Sequence, residues 1–207
     1  MIQNKIGVFN YTSCNSTSLI SALDKISVQY EINENFKNLR KHKKIIIPGI
    51  GNMKSVFINQ KLEFLKSEIE DYVNNGGFVY GICLGMQMFL NHSEEGDSKC
   101  LSLIDGYSEF VKKDFNVSLN VKYSKIERKE EKIFSKFFKN IEKDAKFYFL
   151  HKYHCKINDK KANFLYSDLK KKNVISIVFK NNILGTQFHP EVSGKDGLKF
   201  LYNVCNY

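Results

Sequence analysis

The chain has 207 residues, 43% of them hydrophobic, which is enough for one sizeable core and predicts a single domain over residues 1–207. No apolar stretch approaches the length that spans a bilayer and no secretory-signal pattern opens the chain, so we expect a cytoplasmic protein without a membrane partner. The formal net charge is +10, but the lysines are dispersed and accompany no nucleic-acid motif, so a solvated surface is favoured over nucleic-acid binding.

Strand and helix patterns alternate through the first half of the chain. Residues 5–10, 44–47 and 78–82 are short stretches rich in β-branched and aromatic side chains, as is typical of strands. Residues 16–26 and 62–74 carry apolar side chains at helical spacing. This alternation predicts an α/β fold with a mainly parallel sheet flanked by helices, and with functional groups at the carboxyl ends of the strands.

The second half of the chain changes character. Residues 110–126 have the pattern of successive strands, and residues 127–143 are polar and predicted to be helical in part. Residues 146–149 and 174–179 are again strand-like. These patterns predict an added antiparallel layer beside the parallel sheet.

Cysteine usage limits the chemistry available to the chain. An odd number of scattered cysteines, with no Cys-x-x-Cys pair, argues against a disulfide framework and against a zinc knuckle. The five are Cys14, Cys83, Cys100, Cys155 and Cys205. At least one of them is therefore available as a free thiol.

One cysteine lies in a segment typical of a nucleophile elbow. Gly81-Ile82-Cys83-Leu84-Gly85 follows a predicted strand and precedes a helical pattern at residues 86–90. The flanking glycines suit a cramped turn, and a sulfur at a helix N-terminus is favoured as thiolate by the unpaired backbone N–H groups. The alternative for this motif alone is a buried structural cysteine beside two packing glycines.

A histidine and a carboxylate follow a later predicted strand at residues 182–186. In Gln187-Phe188-His189-Pro190-Glu191, the i and i+2 side chains point to one side, so Glu191 can accept a hydrogen bond from one imidazole nitrogen of His189. The other nitrogen can then face a thiol. Taken alone, this motif also fits a surface turn.

A glycine-rich turn ends the predicted strand at residues 44–47. Pro48-Gly49-Ile50-Gly51 has little side-chain bulk, so its backbone N–H groups can approach a substrate oxygen. Together with the N–H of Leu84, they predict an oxyanion hole, in which one donor is typically worth about 3–4 kcal/mol. An ordinary strand-to-helix turn uses the same residue types.

The three motifs together resemble the class I, or triad, glutamine amidotransferases. Further matches at Asn10-Tyr11, at Phe149-Leu150-His151 and at Ser193-Gly194 extend the resemblance over nearly the whole chain. The resemblance implies a flavodoxin-like α/β fold and glutamine hydrolysis with Cys83 as nucleophile, His189 as base and Glu191 orienting that base. It implies no cofactor.

The resemblance also implies a set of substrate contacts. Gln87 lies one helical turn after Cys83 and so shares its face. Gln87 and Glu95 are implied to contact the amino-acid end of glutamine, and Glu94 in the same acidic turn is the alternative to Glu95. The backbone around Lys152 and Tyr153 is implied to receive the substrate carboxylate. The predicted oxyanion hole consists of Gly49, Ile50, Gly51 and Leu84. Because no carboxylates stand at metal-ligand spacing from His151 or His154, no metal site is expected.

Within the family, the chain is most similar to glutaminase subunits that form a heterodimer with the cyclase of histidine biosynthesis, a partner resembling a TIM barrel. This resemblance places Asn15 and Ser18 at the partner interface. However, the tryptophan-containing docking segment of those subunits is replaced by residues 117–123, and the chain has no tryptophan. Two alternatives stay open: ammonia supply to an ATP-dependent enzyme that modifies a surface sugar, and a non-catalytic binding module.

Overall fold

The computed structural model describes residues 5–11, 16–49, 51–56, 61–128, 132–169 and 172–207. Within these ranges the chain forms thirteen strands and eight α-helices. In the described ranges, no helix combines the length and the apolar composition needed to cross a bilayer.

The strands are, in chain order, β1 (Ile6–Phe9), β2 (Tyr30–Asn33), β3 (Lys44–Ile47), β4 (Phe78–Ile82), β5 (His92–Ser93), β6 (Ser98–Lys99), β7 (Gly106–Phe110), β8 (Asn120–Glu127), β9 (Lys146–His151), β10 (Tyr153–Ile157), β11 (Asn163–Leu169), β12 (Lys172–Lys180) and β13 (Ile183–Thr186). The helices are α1 (Thr17–Lys25), α2 (Phe36–Leu39), α3 (Met53–Val56), α4 (Leu62–Asn74), α5 (Leu84–Gln87), α6 (Val111–Phe115), α7 (Lys132–Ser135) and α8 (Gly194–Cys205). A 3-10 turn spans Pro190–Val192.

The main sheet has nine strands in the order β2-β1-β3-β4-β13-β12-β11-β8-β9. Its first five strands are parallel to one another. In the pairing of β13 with β4, Thr186 lies opposite Ile82. The segments that leave these two strands therefore start side by side, which brings a residue near position 83 next to one near position 187.

The antiparallel part takes two forms. Strands β12, β11, β8 and β9 extend the main sheet by antiparallel pairing. A second sheet has the order β10-β7-β5-β6. Strand β9 belongs to the main sheet and β10 to the second, with only Lys152 between them, so this short connection joins the sheets beside the carboxyl ends of β4 and β13. The predicted α/β class with a parallel core and added antiparallel strands is confirmed.

Side chains on alternate sides of the parallel strands form two hydrophobic clusters. On β4, Phe78, Tyr80 and Ile82 belong to the cluster that contains α1 and α8, whereas Val79 belongs to the cluster that contains α4. Helix α4 buries Leu65, Ile69, Tyr72 and Val73, which repeat at helical spacing along one face. Burial of each large apolar side chain contributes about 1.5–3 kcal/mol, so both faces hold the parallel strands rigidly.

Two sequence predictions of local structure were wrong. The helix predicted at residues 86–90 instead covers Leu84–Gln87, because the carbonyls of Met88, Phe89 and Leu90 accept hydrogen bonds from the 101–104 segment. Residues 110–126 are not strands throughout, since α6 interrupts them.

Helix α6 forms because Val111 and Phe115, four residues apart, are both buried on one side of it. It ends at Asn116, which has a left-handed conformation with φ of 52°.

Candidate active site

Cys83 occupies a strained turn between β4 and α5. Its φ is 49° and its ψ is −102°, a combination that costs about 1–3 kcal/mol for a residue with a side chain. The surrounding backbone holds it there: the Cys83 N–H donates to the Thr186 carbonyl at 2.6 Å, and the Gln87 N–H donates to the Cys83 carbonyl at 3.1 Å. The turn therefore presents the sulfur at the carboxyl end of the sheet.

Neighbouring backbone segments approach this turn so closely that two positions beside it have no room for a side chain. A Cβ atom on Gly49 would lie 1.6 Å from the Ile82 carbonyl oxygen, and one on Gly85 would lie 2.4 Å from the Ile47 carbonyl oxygen. Both positions exclude any side chain. The glycines that the sequence analysis singled out are thus required by backbone contact around Cys83.

His189 follows β13 and lies beside Cys83 through the parallel pairing of β13 with β4. Its Nδ1 is 2.8 Å from Glu191 Oε1, and both side chains are about 95% buried. Because a carboxylate oxygen accepts, Nδ1 carries the proton and Nε2 is left for the sulfur side. The intervening Pro190 begins the 3-10 turn that carries Glu191 back to the imidazole.

The charge balance around His189 favours its protonated form. Burial acts to lower the pKa of the imidazole, but the adjacent Cys83 sulfur and the Glu191 carboxylate together outweigh burial, so the pKa of His189 lies well above its usual value. A sulfur anion beside an imidazolium is the charge arrangement on which cysteine nucleophiles depend.

A cavity of about 490 Å³ opens above the sulfur. It is lined by Gly49, Gly51, Asn52, Cys83, Leu84, Gln87, Glu95, Leu119, Leu150, His151, Lys152, Tyr153 and His189. Glu191 lies behind His189. Of the other predicted positions, Ile50 and Asn15 fall outside the described residues, and Ser18 is half-buried on α1 away from the cavity lining.

The two candidate glutamates have different surroundings. Glu95 lines the cavity, and its Oε2 accepts the Met53 N–H at 3.0 Å. Glu94 instead accepts the Phe110 N–H at 2.9 Å and pairs with Lys113, which lowers its pKa. Glu95 is therefore the glutamate placed to meet a ligand.

His151 is held as a neutral side chain at the edge of the cavity. Its Nδ1 donates to the Tyr153 carbonyl at 2.8 Å, so its Nε2 accepts from the Asn120 side-chain amide at 2.8 Å. Burial lowers the pKa of His151 to about 3, although the bond to the Tyr153 carbonyl opposes this effect. With both nitrogens engaged, His151 orients the β9–β10 connection and is not free to act as a base.

The low pKa of His151 predicts acid sensitivity. A base whose pKa is lower in the folded state contributes stability that is complete above its unfolded pKa, near 6.5, and is lost as the pH falls towards about 3. The loss is at most about 1.4 kcal/mol per pH unit. Urea unfolding between pH 7 and pH 4 should therefore show a shallower acid loss for His151→Gln than for the wild type. Equal slopes for His151→Gln and the wild type would contradict this account.

A second group of ligand-type side chains lies away from the cavity. His154 Nε2 is 3.5 Å from Asp114 Oδ2 and 3.7 Å from Glu109 Oε1. The ammonium of Lys156 pairs with both carboxylates, so the positive charge beside them comes from a lysine side chain. This cluster is not visible in the sequence, because β7, α6 and β10 bring its members together only in the fold. The absence of a metal or cofactor requirement stays a prediction.

The other described cysteines are buried and unsuited to nucleophilic chemistry. Burial raises the pKa of Cys100 and of Cys205 to about 12, and it raises the pKa of Cys155 further. Sequence reasoning missed Gln187, whose side chain is fully buried and whose Nε2 lies 3.5 Å from Cys83 Sγ. Its place two residues before His189 was the available signal.

The Glutamine amidotransferase class-I family model matches residues 8–205, and the chain belongs to this family of enzymes. Among curated proteins, "Imidazole glycerol phosphate synthase subunit HisH 1" of Campylobacter jejuni (strain RM1221) is 34% identical to this chain. The match covers 96% of this chain and 98% of the relative. "Imidazole glycerol phosphate synthase subunit HisH" of Geobacillus sp. (strain WCH70) is 33% identical, with 97% of this chain and 96% of the relative covered.

Solved structures share the fold at low identity. A structure described as "Crystal structure of glutamine amidotransferase" has a TM-score of 0.70 at 16% identity and covers 96% of this chain and 98% of its own. "Structure of PurLQS from Thermotoga maritima" has a TM-score of 0.71 at 20% identity, with coverage of 100% and 99%. The class I glutamine amidotransferase fold therefore extends over the whole chain.

Proposed function

We propose that this chain is a glutaminase subunit that hydrolyses glutamine to glutamate and ammonia and passes the ammonia to a synthase partner in a heterodimer. The observation that supports this most strongly is the placement of Cys83, on a strained elbow at the floor of a cavity and beside a His189 that is bonded to Glu191 at 2.8 Å. The HisH names of the curated relatives support the imidazole glycerol phosphate synthase of histidine biosynthesis as the complex.

In the proposed reaction, the Cys83 thiolate attacks the side-chain carbonyl carbon of glutamine. Protonated His189 gives its proton to the departing nitrogen, so ammonia leaves and a glutamyl thioester remains. A water molecule then transfers a proton to His189 as it attacks the thioester, and the C–S electron pair returns to sulfur as glutamate is released. Glu191 keeps the imidazole in the required tautomer and stabilises the imidazolium.

The cavity lining supplies the remaining roles. The Leu84 N–H lies at the start of α5, where helix geometry provides no acceptor, and Gly49 and Gly51 border the same space, so these groups are proposed to hold the oxyanion. The Glu95 carboxylate suits the ammonium group of glutamine. The substrate carboxylate is assigned to Lys152 and Tyr153, which also line the cavity.

The partner is proposed to dock on an exposed apolar surface around the cavity mouth. This mouth surface consists of Leu119, Val121, Tyr123, Leu150 and Val192, each 40–54% exposed. Val121 lies opposite Leu150 in the β8–β9 pairing, the Tyr123 hydroxyl donates to the Val192 carbonyl at 3.2 Å, and Leu119 and Leu150 also line the cavity. A partner seated there excludes water from the route by which ammonia leaves.

Three residues of the mouth surface, Leu119, Val121 and Tyr123, belong to the 117–123 segment. This segment replaces the tryptophan-containing docking segment. Exposed aliphatic and tyrosine side chains are well suited to bury area against a partner subunit. We therefore propose that docking persists in this chain with different side chains, and that the acceptor is the cyclase subunit of imidazole glycerol phosphate synthase.

The experiment is to measure glutamate formation with and without the cyclase subunit. We expect weak hydrolysis by the isolated chain and strong stimulation by the cyclase, because docking completes the site. Val121→Asp should keep the weak basal rate. The factor by which the cyclase raises the hydrolysis rate should fall at least about tenfold, because docking would bury the introduced charge at the interface. Tyr202→Asp, at an equally exposed apolar position on α8, should behave as wild type. A high rate without any partner, or full stimulation of Val121→Asp, contradicts the proposal.

A further inference from the structure

A chain of hydrogen bonds through two glutamine side chains connects the Tyr153 carbonyl, beside the cavity, to the Cys83 sulfur. It involves neither His189 nor Glu191. Gln87 Nε2 lies 3.0 Å from the Tyr153 carbonyl oxygen and 3.2 Å from Gln187 Oε1. Gln187 Nε2 lies 3.5 Å from Cys83 Sγ. The two glutamines come from different segments, one from α5 and one from the residue after β13, so only the fold unites them.

The direction of each bond follows from one group that cannot be reversed. The Tyr153 carbonyl can only accept, and so the group facing it on Gln87 must be the amide NH₂. The second hydrogen of that NH₂ points to Gln187, which must therefore present its oxygen. The remaining end of the Gln187 amide, its NH₂, then faces the sulfur. A Cys155 thiol 3.8 Å from Gln187 Oε1 adds a second donor to that oxygen and supports the same orientation.

Water has little access to this network. Gln187 is fully buried, Gln87 is 3% exposed and Cys83 is 6% exposed. In such surroundings a hydrogen bond to an anion is stronger than in water, and its loss is not repaired by solvent. The Gln187 N–H group is thus a fixed donor on a flank of the sulfur, separate from His189.

We propose that Gln187 is a catalytic residue, supplying a fixed N–H donor to the Cys83 sulfur, and that Gln87 is a positioning residue that keeps the Gln187 amide in the donating orientation. The inference rests on the proposed function of Cys83 as nucleophile.

The donor acts at two points of the reaction. Before attack it stabilises and orients the sulfur anion, and in thioester hydrolysis it stabilises the negative charge that returns to sulfur as the C–S bond breaks. Gln187 stabilises negative charge on the sulfur, whereas His189 transfers the proton in both steps.

The test compares Gln187→Glu with wild type in the assembled complex and in the isolated chain. Glutamate has nearly the same shape but, when ionised, offers no hydrogen to the sulfur. We expect a roughly tenfold to hundredfold loss in kcat with little change in KM. We also expect slower alkylation of Cys83 by iodoacetamide at pH 7, with the alkylation profile moved to higher pH. Cys100→Ala changes a buried cysteine that bonds to the Ser98 carbonyl, outside this network, so Cys83 of this variant should alkylate at the wild-type rate.

Gln87→Leu provides an independent variant if Gln187→Glu does not fold. It removes the anchor that orients Gln187, so Cys83 alkylation should slow in the same direction by a smaller factor, and alkylation does not depend on glutamine binding. The inference is overturned if folded Gln187→Glu alkylates with the wild-type rate and pH profile. If Gln187→Glu does not fold, the same result for folded Gln87→Leu overturns it. Failure of wild-type Cys83 to alkylate at any pH would instead overturn its proposed role as nucleophile.

Discussion

Cys83→Ala is expected to abolish glutamine-dependent synthesis by the complex and to leave ammonia-dependent synthesis intact. The sulfur is the only nucleophile at the floor of the cavity in the described residues, and loss of a nucleophile typically costs about four or more orders of magnitude in rate. The partner's own site is untouched, so added ammonium salt should restore product formation. Both rates are to be measured on the same purified complex.

Cys100→Ala is the matched control for this prediction. Cys100 is also a buried cysteine, but burial raises its pKa to about 12, so its thiol has no role in hydrolysis and both activities should survive. Loss of ammonia-dependent synthesis together with glutamine-dependent synthesis in Cys83→Ala would mean that hydrolysis and synthesis do not use separate sites.

Gly49→Ala is expected to produce the largest loss of stability. Its Cβ would lie 1.6 Å from the Ile82 carbonyl oxygen and 2.6 Å from the Leu84 nitrogen, so β3 and the elbow must separate. Because backbone atoms cannot move aside as side chains do, we expect a loss of about 3 kcal/mol or more in the free energy of unfolding, together with loss of glutaminase activity. Urea unfolding and a glutamate assay measure the two effects.

Gly7→Ala is a suitable comparison, because it lies on the neighbouring parallel strand β1. A Cβ there approaches only side-chain atoms, at 3.1 Å or more, so a smaller loss of stability is expected and activity should persist. Equal stability of Gly49→Ala and wild type would show that the elbow and the glycine turn are not held in contact.

The end of the sheet at which Cys83 and His189 lie together could be predicted from the sequence because its signals are local. The strand before Cys83, the helix at 62–74 and the glycine-rich turn each depend on residue types a few positions apart. Parallel strands meet at one sheet edge, so Cys83 and His189 were expected at the same place despite a separation of about half the chain. The pairing of β4 with β13 provides the physical link.

Features created by tertiary contact could not be read in the same way. The 86–90 segment has a helical pattern, but its carbonyls are used by residues 101–104, and nothing local signals that competition. Gln187 looks like an ordinary residue until Gln87 and Tyr153 fix the direction of its amide. The cluster of Glu109, Asp114 and His154 likewise requires the register of β10 with β7.

The most direct test of the central claim is reaction of the partner-bound chain with a diazo-ketone analogue of glutamine, followed by intact-mass measurement and peptide mapping. The account predicts one equivalent of adduct, located on Cys83, slowed by glutamine and lost in His189→Ala. An absence of adduct on Cys83, or equal labelling of Cys100 and Cys205, would contradict the claim that this sulfur is the activated nucleophile.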